Sequence, residues 1–213
     1  MALATMAAGI PMYVHPGVDA RSWAALTAAD QPVSWIVLNQ DNGPGGVEDG
    51  VLYDAARAVK AAGTTKVCGY INYEYGTRSG GDFTIFAEAD TWVSRGIDCV
   101  FLDQAPSTAD KVQSLALSVL GLRDKGMKYV VLNFGVLPHP SHLDTGDVAV
   151  VYEADQGAAK EAVSLARGYG VHHVFATSGT FISGNPWAGI PLYWSAEAAM
   201  LKRFPLRPAP GWV

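Results

Sequence analysis

Two carboxylates stand directly after the most hydrophobic runs of this chain. Asp103 follows Cys99-Val100-Phe101-Leu102, and Glu153 follows Val148-Ala149-Val150-Val151-Tyr152. A carboxylate at the end of an apolar strand is paired or perturbed, because an ion leaves water only at a cost. Two carboxylates held apart in unequal surroundings suit glycoside cleavage. One attacks or stabilises the oxocarbenium-like centre, while the other is kept protonated and donates to the leaving oxygen. The competing reading is local: each side chain caps a helix or a loop amide. Asp103 precedes Ser107 and a helix start, which suits capping.

Around this pair lies a wider set of polar strand ends. Short apolar, β-branched runs occupy residues 10–14, 33–39, 67–73, 99–103, 129–133, 148–153 and 171–177. They stop on His15, on Asn39 with Asp41, on Asn72, Tyr73, Glu74 and Tyr75, on Asp103 with Gln104, on Asn133, on Glu153, and on Thr177 with Ser178. One polar exit is ordinary, since a strand must leave the core into water. A full set in phase points to a ligand site at the carboxyl ends of parallel strands. Tyr13, Tyr70, Tyr73, Tyr75, Phe134, Trp187 and Trp194 lie near the same rim. Most aromatics in a domain pack the core, but Tyr73 and Tyr75 fall beyond a strand in a polar loop, where a ring can stack on the C–H face of a sugar. Arg78, in that loop, suits a pairing with Glu74 or with a substrate group, and equally a solvated position on the loop.

Helical segments separate the runs. They are expected at 21–29, 51–62, 83–95, 109–125 and 158–167, with a short helix ending the 186–201 tail. Val51, Leu52, Ala55, Ala58, Val59 and Ala62 form an apolar stripe of helical period. Gly63, Gly96 and Gly126 follow their helices as terminators. Pro11 is placed near a strand start, where its missing N–H is tolerated. Strands alternating with helices of ten or more residues imply parallel pairing. Seven strands are visible where eight would close a barrel, and the segment between Glu153 and Val171 reads as one helix instead. The expectation is one α/β domain over 1–213, a TIM-like (β/α)8 barrel with a degenerate or missing unit after the sixth strand. An open doubly wound sheet is the runner-up, weakened because no Gly-x-Gly-x-x-Gly follows the first strand.

Other chemistries find little support. The net charge is −5 with 16% charged residues, and no Lys/Arg cluster suits nucleic acid or an anionic membrane. No apolar run approaches the ~20 residues of a bilayer span. Met1 to Gly9 is small and apolar but lacks the basic start and the length of a signal peptide. His139 and His142 flank Pro140-Ser141 without a matching carboxylate, so no metal site is expected. His172 and His173 point to opposite faces of one strand, and no Gly-x-Ser-x-Gly elbow is present. Cys68 and Cys99 are expected to be two buried, reduced thiols, with a disulfide open to them if their runs are neighbouring strands.

The strand-end segments resemble the spherulin-4 family. The matching pieces are residues 10–16 (Ile-Pro-Met-Tyr-Val-His-Pro), 37–45 (Val-Leu-Asn-Gln-Asp-Asn-Gly-Pro-Gly), 69–78 (Gly-Tyr-Ile-Asn-Tyr-Glu-Tyr-Gly-Thr-Arg), 96–103, 132–135, 151–153, 185–187 and 192–194. The resemblance implies a (β/α)8 barrel related to hydrolases that cut α-1,4-linked N-acetylgalactosamine or galactosamine polymers. It implies a polysaccharide or oligosaccharide partner, no cofactor, and a secreted or cell-surface setting. In those enzymes the fourth strand usually ends in an Asp-Glu pair and a glutamate ends a later strand. Asp103 matches the aspartate, Glu153 matches the later glutamate, and Gln104 stands where the second carboxylate would be. The expected function is therefore a retaining endo-acting glycosidase using Asp103 and Glu153. His15, Asn39, Asp41, Tyr70, Tyr73, Glu74, Tyr75, Arg78, Gln104 and Asn133 would position the sugar. Gln104 favours the alternative, a non-catalytic carbohydrate-binding or wall protein on a hydrolase scaffold. A sugar-phosphate isomerase or aldolase is disfavoured, having no strand-end lysine for a Schiff base.

Overall fold

A computed structural model describes residues 7–28, 31–63, 65–150, 173–175, 190 and 194–203. Glu153, the helix expected at 158–167, the weak unit between Glu153 and Val171, Thr177 with Ser178, and Trp187 all lie outside the described residues. In chain order the elements are β1 (Ala7–Met12), α1 (Ala20–Leu26), β2 (Val33–Leu38), α2 (Gly50–Ala62), β3 (Lys66–Asn72), α3 (Asp82–Ser94), β4 (Cys99–Asp103), α4 (Val112–Asp124), β5 (Tyr129–Asn133), β6 (Val148–Val150), β7 (His173–Phe175) and α5 (Trp194–Arg203). From β1 to β6 the strand–helix alternation matches the apolar runs and helical stripes of the sequence. The fold is α/β with parallel strands.

The described residues fall into two compact units, one within Met1–Ile36, Val51–Lys66 and Ala154–Val213, the other within Val37–Gly50 and Val67–Glu153. In the first, β1 runs parallel to β7, with Ala7 facing His173 and Gly9 facing Phe175. Pro11 does not sit near the strand start as expected. It lies near the end of β1, past the residues Ala7, Ala8 and Gly9 that face His173–Phe175. Asp19 caps α1 by accepting from the Ser22 amide at 3.0 Å and the Ser22 hydroxyl at 2.5 Å. Those bonds hold its carboxyl below the usual carboxylate range.

In the second unit β3, β4, β5 and β6 pair in sequence order, all parallel. The register sets Cys68 opposite Cys99, Tyr70 opposite Phe101 and Asn72 opposite Asp103. Because side chains alternate along a strand, these three pairs share one face. The other face of β3 meets α3. A Cβ on Gly69 would run into the indole of Trp92 on α3, so only glycine lets that ring cover the strand. Gly96 and Gly126, at φ 82° and 101°, end α3 and α4 as expected, in a left-handed conformation that costs glycine little.

The expectation of reduced thiols is overturned: Cys68 and Cys99 form a disulfide. Sequence spacing alone does not show that β3 and β4 bring these two positions face to face, with 4.2 Å between their Cα atoms. The pair is buried, and on the shared face it lies beneath Tyr70 and Phe101, whose rings stack with centroids 6.4 Å apart. Above that layer comes the polar layer of Asn72 and Asp103. With a sequence separation of 31 between the cysteines, converting both to alanine is expected to cost about 3–4 kcal/mol of folding stability. The check is a lowered denaturation midpoint that added reductant reproduces in the wild type and leaves unchanged in the double variant.

Candidate functional site

Asp103 ends β4 with both carboxylate oxygens engaged. The Tyr70 hydroxyl donates to Oδ2 at 2.7 Å, and the Asn133 amide nitrogen donates to Oδ1 at 2.7 Å. The ladders explain the convergence. Tyr70 lies two residues before Asn72, which faces Asp103, and Val131, opposite Phe101, puts Asn133 on the same face. Asn133 has its orientation fixed locally: its Oδ1 accepts from the Gly135 amide at 3.1 Å, leaving the NH2 group for Asp103. Burial, and then the negative charge of Asp103, push the Tyr70 phenol above its ordinary value, so it stays a protonated donor. Asp103 caps no helix. The turn Ala109–Lys111 and α4 begin well past it, and its bonds cross strands instead. No cation pairs with Asp103 among the described residues.

Replacing Tyr70 with phenylalanine removes a hydrogen bond to a charged acceptor without changing the ring. It is expected to lower stability by about 1.5 kcal/mol, read as a lower urea midpoint at unchanged slope.

The other strand-end residues separate into distinct environments. Asn39 is half-buried and its Oδ1 accepts from the Gly43 amide at 3.0 Å, closing the turn after β2, while Asp41 is exposed on that turn. His15 belongs to the first unit, where its Nδ1 accepts from the Gly17 amide at 3.0 Å. Tyr73 is not displayed in the loop but buried. Its hydroxyl bonds the Ser118 hydroxyl at 2.6 Å and donates to Asp82 at 3.3 Å, on α4 and α3. Strand alternation accounts for this, since Tyr73 follows Gly69 and Ile71 on the helix-facing side. Tyr75 is exposed, at 58%. Glu74 is exposed too, with its amide on Asn72 Oδ1 at 3.0 Å. Arg78 pairs with Glu88 rather than Glu74. Both its terminal nitrogens reach the Glu88 carboxylate, and Nη1 also donates to the Asn72 carbonyl at 2.8 Å. The Glu88 contact raises the Arg78 pKa further.

Against this geometry, residues 8–169 match the Spherulin4 family, described as spherulation-specific family 4. The chain belongs to that family. Spherulin-4 of Physarum polycephalum is 28% identical over 149 residues, a match covering 68% of this chain and 43% of that protein. The matched region thus spans less than half the length of that relative. Among solved structures, Aspergillus clavatus Sph3 in complex with GalNAc superposes with a TM-score of 0.73, at 20% identity, covering 93% of this chain and 98% of Sph3. At that identity the likeness is one of fold.

In this spherulin-4-family chain the residue after Asp103 is Gln104, in left-handed backbone at φ 54°. Glu74 and Tyr75, at φ 51° and 55°, share that conformation. The three are linked, because the Gln104 carbonyl accepts from the Tyr75 amide at 2.7 Å. Non-glycine residues in this region carry strain, and such strain gathers at functional sites. The loop after β2 is fixed from the end of α3: Arg95 donates to the carbonyls of Pro44, Gly45 and Gly46. Within the loop, Gln40 bridges to the Val47 carbonyl at 2.5 Å and the Asp49 amide at 3.4 Å.

His142 is fully buried, its Nε2 2.9 Å from the Thr108 carbonyl and its ring against Phe134. His139 accepts from the Ser141 amide at 3.4 Å. Among the described residues no group of three or more His, Cys, Asp or Glu side chains could hold a metal ion. Glu88, Arg95, Asp82 and Ser118 escape a reading of the sequence. Each acts across a contact made by folding, and no local motif marks it.

Proposed function

We propose that this chain is a glycoside hydrolase acting on an amino-sugar polysaccharide of the galactosamine or N-acetylgalactosamine type, by a retaining two-carboxylate mechanism. The observation that carries the reading is Asp103, a strand-end carboxylate held by two neutral donors and not neutralised by a cation among the described residues. Each Asp103 oxygen keeps a second lone pair. One can bond to the anomeric carbon, or face its developing positive charge, while Glu153 gives a proton to the departing oxygen. Water, deprotonated by Glu153, then attacks the same carbon and releases Asp103. Family membership and the fold shared with Sph3, which was solved with GalNAc, support a sugar as the ligand.

Asn39, Asp41, Glu74, Tyr75, Gln104 and Asn133 are the proposed sugar contacts. On the same reading the parallel strands belong to a (β/α)8 barrel whose unit after Glu153 is degenerate. The disulfide fits a secreted or cell-surface setting. Incubation with a galactosaminogalactan-type polysaccharide tests the claim. Reducing ends should appear, and proton NMR should show the anomeric configuration retained at first release. No release sinks the enzyme reading, and inversion removes the nucleophile role from Asp103.

A second reading rests on Gln104, an amide where the family carries a carboxylate. The chain would then bind carbohydrate, or build a cell wall, on a hydrolase scaffold without turnover. Saturable glycan binding without new reducing ends decides for it.

A further inference from the structure

Asp103 accepts from a phenol and an amide, yet an arginine lies close by. Arg78 donates to the carbonyl of Asn72, the residue that faces Asp103 across the β3–β4 ladder. Its guanidinium also acts electrostatically on the hydroxyl of Tyr70, which donates to Asp103. Arginine binds carboxylates bidentately, and that pairing is among the strong hydrogen-bonding arrangements. What occupies Arg78 is Glu88 of α3, in a two-oxygen contact with the side chains only 19% and 21% exposed. The same Glu88 carboxylate lies beside Gly43. A Cβ there would lie 3.3 Å from Oε2, at a φ of +151° that side chains rarely adopt. Glu88 is therefore wedged between the loop after β2 and the loop after β3.

We propose that Glu88 is a positioning residue: it holds Arg78 on the Asn72 carbonyl and so keeps the guanidinium from pairing with Asp103. An Asp103 neutralised by arginine would be a poor nucleophile and a poor stabiliser of a cationic centre, because its charge would already be spent on a permanent ion. With Glu88 in place, the aspartate keeps its charge for the sugar. The consequence for turnover rests on the reading of Asp103 as the reactive carboxylate. The placement of Arg78 does not.

The test is Glu88→Gln, which keeps the shape and removes the charge, compared with the double variant Glu88→Gln/Arg78→Gln. A crystal structure of the single variant should show the Arg78 guanidinium within ion-pair distance of Asp103. On the galactosaminogalactan-type polysaccharide, kcat should fall roughly 10- to 100-fold with KM little changed. Removing the freed arginine in the double variant should recover most of that loss. Rescue by itself would also follow from relieving an arginine left unpaired in a largely buried position, so the deciding readout is where the guanidinium sits in the single variant. Arg78 remaining on the Asn72 carbonyl, or moving to Glu74 or into solvent, overturns the proposal. So does a kcat that stays unchanged, or one that is not rescued in the double variant. If the wild type shows no turnover, the functional reading fails, and the crystallographic comparison still decides what Glu88 does to Arg78.

Discussion

Asp103→Asn is expected to lower kcat on an amino-sugar polysaccharide by roughly 10³-fold or more, about 4 kcal/mol of transition-state stabilisation, while the protein stays folded. The two halves of that expectation have separate causes. The loss follows from charge: an amide can neither bond to the anomeric carbon as a carboxylate does nor offset a full positive charge there. The intact fold follows from the partners of Asp103. Its Oδ1 accepts from Asn133, whose amide is pinned by the Gly135 N–H, so the substituted side chain must turn its one oxygen to that side. The new NH2 group then faces Tyr70, and a phenol oxygen can accept as well as donate. The contacts survive with one donor reversed, at a cost of about 1 kcal/mol. Reducing-end release, beside a thermal unfolding midpoint, checks both halves. A variant that keeps most of its activity would show that Asp103 is not the reacting group. If the chain only binds sugar, the same change should weaken binding by roughly 10- to 100-fold, the scale of one hydrogen bond to a charged group, with no turnover to lose.

The legibility of this site in the sequence follows the range of the interactions. Asp103, Asn133 and Tyr70 are readable because strands announce themselves by apolar runs, and polar residues at their ends are counted from there. Tyr73 shows where that count must be combined with alternation. It lies three residues beyond Tyr70, so it takes the opposite face and packs on Ser118 and Asp82 instead of lining the polar layer. The Cys68–Cys99 bond needs the β3–β4 register, which spacing leaves free. Arg78 is legible but its partner is not: Glu74 is the nearer carboxylate in sequence, whereas Glu88 is brought to it by the turn of α3. Gln104 is legible as a departure in residue type. Its left-handed backbone, which sends its carbonyl to Tyr75, is a property of the closed loop pair and has no local sign.

Trp92→Ala is expected to be the most damaging single change to stability, about 4–5 kcal/mol, close to the whole stability of many domains. The indole is fully buried, covers the bare backbone of Gly69, and donates its N–H to the Tyr70 carbonyl at 3.0 Å. Truncation opens a cavity whose walls are strand backbone and the apolar stripe of α3, neither of which can collapse to fill it. It also removes the indole hydrogen bond to the carbonyl of Tyr70, the residue that donates to Asp103. Two companion variants separate these losses. Trp92→Phe keeps most of the ring volume and drops the hydrogen bond, for about 1–2 kcal/mol. Gly69→Ala leaves the bond partners in place but drives a methyl group into the indole, for about 3 kcal/mol. Urea denaturation should rank the three Trp92→Ala, Gly69→Ala, Trp92→Phe, and thermal unfolding should place the first roughly 8–20 °C lower in Tm than the wild type, taking roughly 2–4 °C per kcal/mol for a chain of this length. A loss below about 1.5 kcal/mol for Trp92→Ala would mean that the indole does not hold the back of β3. The placement of Tyr70 against Asp103 would then need another support.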